Sequence, residues 1–308
     1  MTVLSFQGVS KRFDGREVIR GLTISVAEHT IYGLLGQNGA GKTTTMKMAL
    51  GLLKPTDGSI FVLGEPVSYG ETKTNRYVGY LPDVPAFYGY MRPAEYLALC
   101  GEVSGLDRKK VKGRSAELLT LVGLKGINRS IGGFSRGMKQ RLGIAMALLG
   151  SPRLLILDEP TNGLDPAGIQ EMRALIHDMP DACGATVLIS SHLLGEMEQI
   201  VSQVGIINHG QLLFEGPLTE LQRHSRGNVV LRLLAPDRGA AVLRRYGLTP
   251  QPADNGCLLP TMEDARLAAL VQDLAAEGAG VVGVERQTKN LEEIFLSLTN
   301  TQTGKEVG

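Results

Sequence analysis

The sequence has almost no net charge. Its 32 lysines and arginines face 31 aspartates and glutamates, a formal charge of +1 over 308 residues. Without a strong field of one sign, the bulk composition gives no pull toward nucleic acid or anionic lipid. Cysteine is scarce. Cys100, Cys183 and Cys257 are scattered; no two have metal-ligand spacing, and an odd count argues against a disulfide framework. A reducing cytosol fits that usage. Long hydrophobic runs are also missing. The most apolar stretches, around 142–150 and 154–157, are separated by Ser151-Pro152-Arg153, and neither nears the ~20 residues that span a bilayer. The N-terminus, "MTVLSFQGVSKRF", is strand-like and carries no signal-peptide core. There is no internal repeat and no low-complexity segment. What is present is an apolar fraction of 43%, enough for one large domain and a small one.

One stretch organises the rest. "IYGLL" (31–35) reads as a short buried strand, and "TTTMKMALGLL" (43–53) as a helix-forming run. Between them, Gly36-Gln37-Asn38-Gly39-Ala40-Gly41-Lys42-Thr43 fits G-x-x-x-x-G-K-[ST] in the strand–loop–helix setting that this motif requires. Glycines let successive backbone N–H groups curl round a phosphate. The helix start adds unpaired donors and partial positive charge. In such a loop Lys42 reaches the β- and γ-phosphates and the Thr43 hydroxyl ligates Mg²⁺. An ordinary glycine-rich turn is the bland alternative, and the full spacing disfavours it.

In chain order, "VLSFQGVSKRF" and "LTISVA" read as strands flanking a turn at Asp14-Gly15-Arg16. Phe13, just before that turn, is either a purine-stacking face or a satellite core aromatic. "SIFVLG" and "RYVGYLPD" are further strands. Val84–Met91 is rich in aromatics and turn formers; it either closes over the local core or, the favoured reading, forms a binding surface. Residues 93–150 have apolar positions at helical spacing. They include the cluster Arg108-Lys109-Lys110-Val111-Lys112, read as a solvated helix face. Ser135, after Gly132-Gly133, reads as an N-cap; position alone leaves open whether it is an ordinary cap or a phosphate-facing one. "LLILDEP" is a buried strand ending in Asp158-Glu159, at the sheet edge where ligands bind in open α/β folds. Two adjacent carboxylates there need a cation: one can hold Mg²⁺, the other orient a water for attack on phosphate. "ATVLISSH" ends in His192 at the same edge. His29, His177, His209 and His224 lack that setting. "VGIINHGQLLFEGP" is a hairpin with its turn at Asn208-His209-Gly210. A helix to about Ser225 follows, then strand, helix, strand, helix, strand, and a last helix capped by Asn290 with Leu291, Ile294, Phe295 and Leu298 on one face.

Together these stretches resemble the nucleotide-binding subunit of an ATP-binding cassette (ABC) transporter over roughly residues 1–220. Gly36–Thr43 is similar to the Walker A loop, Leu154–Asp158 with Glu159 to Walker B and its catalytic glutamate, and Phe134-Ser135-Arg136-Gly137-Met138 to the LSGGQ signature. Gly163-Leu164-Asp165 resembles the D-loop, His192 the switch histidine and Phe13 the A-loop aromatic. The tail more loosely resembles that of ATPases of bacterial drug, bacitracin-type and lantibiotic-type exporters. The resemblance implies an α/β fold: a P-loop NTPase core with an antiparallel β subdomain and a helical signature subdomain (84–150) within residues 1–222, then a small α+β domain over 226–308.

The same resemblance implies the roles. ATP is held by Phe13, Gly36, Asn38, Gly39, Gly41, Lys42, Thr43 and Thr44, and across a head-to-tail homodimer by Ser135, Gly137 and Asp165. Mg²⁺ is held by Thr43 and Asp158, with Asp83 where the family usually has glutamine. Glu159, His192 and Lys42 are the catalytic set. The expected partners are a second copy and a separate transmembrane permease, touched by the loop 85–91. No nucleic acid partner is expected, and the location is the cytoplasmic face of the membrane. Three departures stand out: Phe13 for the commoner tyrosine, Asp83, and a degenerate signature in which Arg136 adds a charge near the γ-phosphate bound by the partner subunit. The rival readings are a soluble ABC ATPase acting on DNA or ribosomes and a poorly hydrolysing regulatory subunit. The first lacks support because neither sustained heptads nor a second Walker A occurs.

Overall fold

The computed structural model describes residues 1–71, 73–224, 226–253, 256–288 and 293–294. The chain divides into two compact units, Met1–Leu218 and Thr219–Gly308.

In the first unit, β1 (Thr2–Phe13) and β2 (Arg16–Ala27) form an antiparallel hairpin. Asp14 and Gly15 between them both have positive φ, 46° and 80°, the backbone that a two-residue hairpin turn demands. Next come β3 (Ile31–Leu35), α1 (Lys42–Ala49), β4 (Asp57–Val62), β5 (Glu65–Pro66) and β6 (Val78–Leu81). A helical block follows: α2 (Pro93–Val103), α3 (Arg108–Leu121) and α4 (Arg136–Ala147). The unit continues with β7 (Leu154–Asp158), α5 (Pro166–His177), α6 (Met179–Cys183), β8 (Thr186–Ser191), α7 (Leu194–Met197), β9 (Gln203–Asn208) and β10 (Gln211–Pro217).

Among the described residues the strands make two sheets here. One runs β2-β1-β4-β5 and is antiparallel; the other runs β10-β9-β3-β8-β7-β6 and is parallel except for its edge strand β10. Every residue of β3, β7 and β8 is buried, because a parallel sheet is covered on both faces. That is why each is built on a short apolar run, 31–35, 154–157 and 187–189. Phe6, Ile24 and Val26 of the antiparallel sheet share one core with Tyr32, Leu34, Ile156 and Leu188 of the parallel sheet and with Met46 and Met48 of α1. Burying each such side chain contributes ~1.5–3 kcal/mol. The strand order puts the C-terminal ends of β3, β7 and β8 side by side, so the segments after them meet.

Three helices, α3, α4 and α5, start where the sequence supplies a side-chain cap. Asp107 accepts from the Lys109 and Lys110 N–H groups at 3.0 Å at the head of α3. Ser135 Oγ accepts from Met138 N–H at 3.3 Å at the head of α4. Cys100, Cys183 and Cys257 are free thiols. No helix among the described residues is long and apolar enough to cross a membrane.

α8 (Leu218–His224) spans the division between the units. Beyond it lie β11 (Arg226–Leu233), α9 (Pro236–Arg245), β12 (Gln251–Ala253), β13 (Gly256–Leu259), α10 (Asp264–Ala276) and β14 (Val281–Thr288). The sheet order is β12-β13-β11-β14, all antiparallel. It has its own core, built from Val229, Leu231, Val242, Leu259, Leu270 and Leu274. β12 is absent from the sequence reading, since Gln251-Pro252-Ala253 has no strand-forming pattern; it forms by pairing with β13. The expected closing helix, with Asn290, Leu291, Phe295 and Leu298, lies outside the described residues.

Candidate active site

The segment after β3 makes a tight turn before α1, and two of its glycines are sterically required. A Cβ on Gly36 would lie 2.3 Å from the Ile207 carbonyl oxygen. Gly41, the residue before α1, has φ 109°, and a Cβ there would lie 2.4 Å from Ile19 Cδ1. The turn borders a cleft of about 500 Å³ lined by Asn38, Gly39, Gly41, Lys42, Thr43 and Thr44. The opposite wall is Glu159 and Asn162 after β7, His192 after β8, Asp83 after β6, and Val18 of β2.

Lys42, only 5% exposed, is the centre of this cleft. Its ammonium has three donors. In the structure Nζ lies 2.6 Å from Gly36 O, 3.1 Å from Gln37 O and 3.1 Å from Glu159 Oε1. The other Glu159 oxygen, Oε2, is 2.7 Å from His192 Nδ1. Glu159 has φ 49°, an uncommon conformation for a non-glycine residue and one that concentrates at functional sites.

Asp158, the last residue of β7, is organised separately. Its Oδ1 accepts from Ser190 Oγ at 2.7 Å and from Thr43 Oγ1 at 3.2 Å. Ser190 Oγ in turn accepts the Glu159 N–H at 2.9 Å. The adjacent carboxylates therefore do not share one partner. The cation expected beside them is in part the Lys42 ammonium, and hydroxyls satisfy Asp158. Thr43 and Asp158 together offer two hard oxygen donors, which fits Mg²⁺, an ion that takes few protein ligands and completes its shell with water and phosphate. No group of three or more His, Cys, Asp or Glu suited to a metal occurs among the described residues.

Asp83 faces two ways. Its Oδ1 accepts from Asn162 Nδ2 at 3.0 Å and lies 3.6 Å from Arg136 of the signature segment. Its carbonyl accepts from Gln140 Nε2 at 2.9 Å. Arg136 thus meets a carboxylate of its own subunit. Close by, burial and then the charges of Asp158 and Asp83 push the Tyr80 phenol up to about 12, so it stays neutral.

Six expected site residues do not line the cleft: Gly36 in the turn itself, Asp158 at the end of β7, and Ser135, Gly137, Asp165 and Phe13. Ser135 and Gly137 lie at the head of α4, and Asp165 caps α5 by accepting the Gly168 N–H at 3.0 Å. Phe13 is 42% exposed, with Lys11 Nζ 4.8 Å above its ring. The sequence reading missed Ser190, Asn162 and Val18. Only Ser190 had a signal: with Ser191 it closes the apolar run Val187–Ile189. Ser190→Ala leaves the buried Asp158 carboxylate and the Glu159 N–H each one partner short. It is expected to cost about 1–3 kcal/mol, read as a lower urea midpoint at unchanged slope.

Residues 19–162 match the family model described as ABC transporter. The bacitracin transport ATP-binding protein BcrA of Bacillus licheniformis is 42% identical over 80% of this chain and 79% of its own. The uncharacterized ABC transporter ATP-binding protein YxlF of Bacillus subtilis is 36% identical over 97% of this chain and 100% of its own. The lantibiotic transport ATP-binding protein SrtF of Streptococcus pyogenes is 38% identical over 69% and 90%. Among solved structures, an ATP-binding subunit of an ABC transporter superposes with a TM-score of 0.64 at 30% identity, covering 72% of this chain and 92% of that one. The chain belongs to the ABC transporter family, as an ATP-binding, ATP-hydrolysing subunit.

Proposed function

We propose that this chain is the motor of an exporter: it binds Mg-ATP in the cleft, closes head-to-tail on a second copy, and drives a separate membrane permease that extrudes a drug or peptide antibiotic. One observation carries the chemistry. Glu159 is held at the cleft wall between Lys42 and His192, where a carboxylate can orient a water toward a bound γ-phosphate and accept its proton. His192 fixes the carboxylate and then contacts the γ-phosphate. Lys42 neutralises charge that develops on the phosphoryl oxygens. Thr43 and Asp158 would hold Mg²⁺, which supplies further charge neutralisation when bound. Phe13 stacks on the adenine, and Asn38, Gly39 and Thr44 line the phosphate path.

The placement of Ser135, Gly137 and Asp165 outside the cleft supports dimerisation, because a site whose signature residues lie elsewhere is completed by Ser135 and Gly137 of the partner subunit. The names of BcrA and SrtF support export of peptide antibiotics. Seating at the cytoplasmic face follows from docking on the permease.

The docking reading rests on the loop 85–91. Tyr88 is 55% exposed and Tyr90 81%, while Phe87 packs edge-on against Tyr96 at 5.1 Å. Beside them runs a groove of about 560 Å³ lined by Tyr80, Tyr88, Tyr96, Leu99, Val103 and Met146. Replacing Tyr88 and Tyr90 together with alanine is expected to abolish ATP-driven transport in the permease complex and leave the ATPase of the free subunit within twofold. Transport at the unaltered rate would refute this docking surface. The wider reading is tested by purifying the tagged chain from its host in mild detergent. A stoichiometric multi-span membrane protein is expected; ribosomes or DNA in its place would move the ATPase to another biological role.

A further inference from the structure

The helical block carries a second concave feature that the nucleotide chemistry does not use. A groove of about 620 Å³ runs between α2 and α3. Its charge is segregated along its length. At one end, near the α2–α3 connection, are Arg108, Lys109 and Lys112, with Glu102 paired to Arg108 at 3.7 Å: three cations against one carboxylate. Toward the other end the lining is Ala94, Ala98, Ala116 and Leu119. Between the two sits Ser115. It is only 5% exposed, it lines the groove, and its hydroxyl has no hydrogen-bond partner. A buried unpaired hydroxyl is costly and rare. Ser115 lies three residues from Lys112, on the same helix face. An anionic oxygen held by the Lys112 ammonium would approach this hydroxyl, which is otherwise closed off from solvent.

We propose that this groove binds an anionic amphiphile, its acidic head at Lys109, Lys112 and Ser115 and its apolar tail along the alanine-lined floor. An acidic amphipathic helix would call for cations along the whole groove. The one-ended pattern fits a head and a tail. From the charged end at Glu102 to Ala94 the groove spans about 12 Å at helical rise, room for an acidic head and the first part of an acyl tail. The sequence alone makes Arg108–Lys112 a solvated face; the apolar floor and the unpaired Ser115 beside it change that reading.

Isothermal titration of the full chain with dodecanoate, below its micelle concentration, tests this directly. Saturable binding of one molecule is expected, with dodecanol at least tenfold weaker. Lys109→Gln with Lys112→Gln, both at exposed positions, is expected to weaken dodecanoate by about fivefold per cation removed. Ala116→Leu is expected to block it. Equal binding of acid and alcohol, an unaffected double variant, or no binding would each overturn the proposal. Co-sedimentation with phosphatidylglycerol and phosphatidylcholine vesicles then fixes the source. Binding to the former alone, lost in the double variant, marks a bilayer lipid; dodecanoate binding without vesicle binding marks a free fatty acid.

Discussion

Glu159→Gln is expected to slow ATP turnover by about 10²–10⁴-fold, the range that a positioned general base supplies. The amide keeps the shape of the carboxylate and can still meet His192, but it cannot take a proton from water. Nucleotide affinity is expected to hold or rise, since Lys42 loses the charged competitor 3.1 Å away. Single-turnover hydrolysis read beside equilibrium binding separates the two effects. The variant is also expected to accumulate as an ATP-bound dimer on size-exclusion chromatography. Turnover near that of the unaltered chain would remove Glu159 from the role of base.

Lys42→Ala should act on the other side of the same pair. Each charged hydrogen bond to a phosphate is worth about 1.5–3 kcal/mol, so ATP binding is expected to weaken by about 10- to 100-fold. Stability should fall as well. Lys42 and Glu159 are both buried, and removing one member of a buried pair costs up to about 3–5 kcal/mol because the other charge is stranded. The contact with His192 softens that loss. The signature of this variant is therefore weak binding together with a lower thermal midpoint in the absence of nucleotide. Lys42→Met, which restores the apolar bulk but not the charge, is expected to recover part of the midpoint and none of the affinity. Tight ATP binding by either variant would contradict the phosphate role.

The contrast between these residues shows what a sequence can convey. The loop from Gly36 to Thr43 was legible because its demands are local: fixed glycines, one lysine, one hydroxyl, a strand before and a helix after. β3, β7 and β8 were legible because strands buried on both faces carry a continuous apolar stretch, here 31–35, 154–157 and 187–189. Among the described residues the tail's elements followed from periodicity, except β12, which forms through pairing with its neighbour. Less of the site was legible where it depends on distant pairs. Nothing near Asp83 announces that its carboxylate meets Asn162 and Arg136, 79 and 53 positions on in the chain. Asp158 and Glu159 read as a pair, and folding gives them separate partners. Ser190 left only a faint signal, because a serine near a strand end usually means nothing. Phe13 had a plausible place in sequence, yet its exposure and its contact with Lys11 depend on how the first hairpin twists.

The ammonium of Lys42 has a further consequence. All three of its protons are engaged, by two carbonyls and one carboxylate. A phosphate oxygen can reach it only by exchange, and the ionic partner that exchange releases is Glu159. With the proposed roles of Lys42 and Glu159, substrate capture and liberation of the base become a single step. A nucleotide too short to touch Lys42 leaves the carboxylate tethered. On that proposal the affinity for ATP is expected to be a difference between two ionic contacts, below what the loop's own geometry would give, which lets spent nucleotide leave.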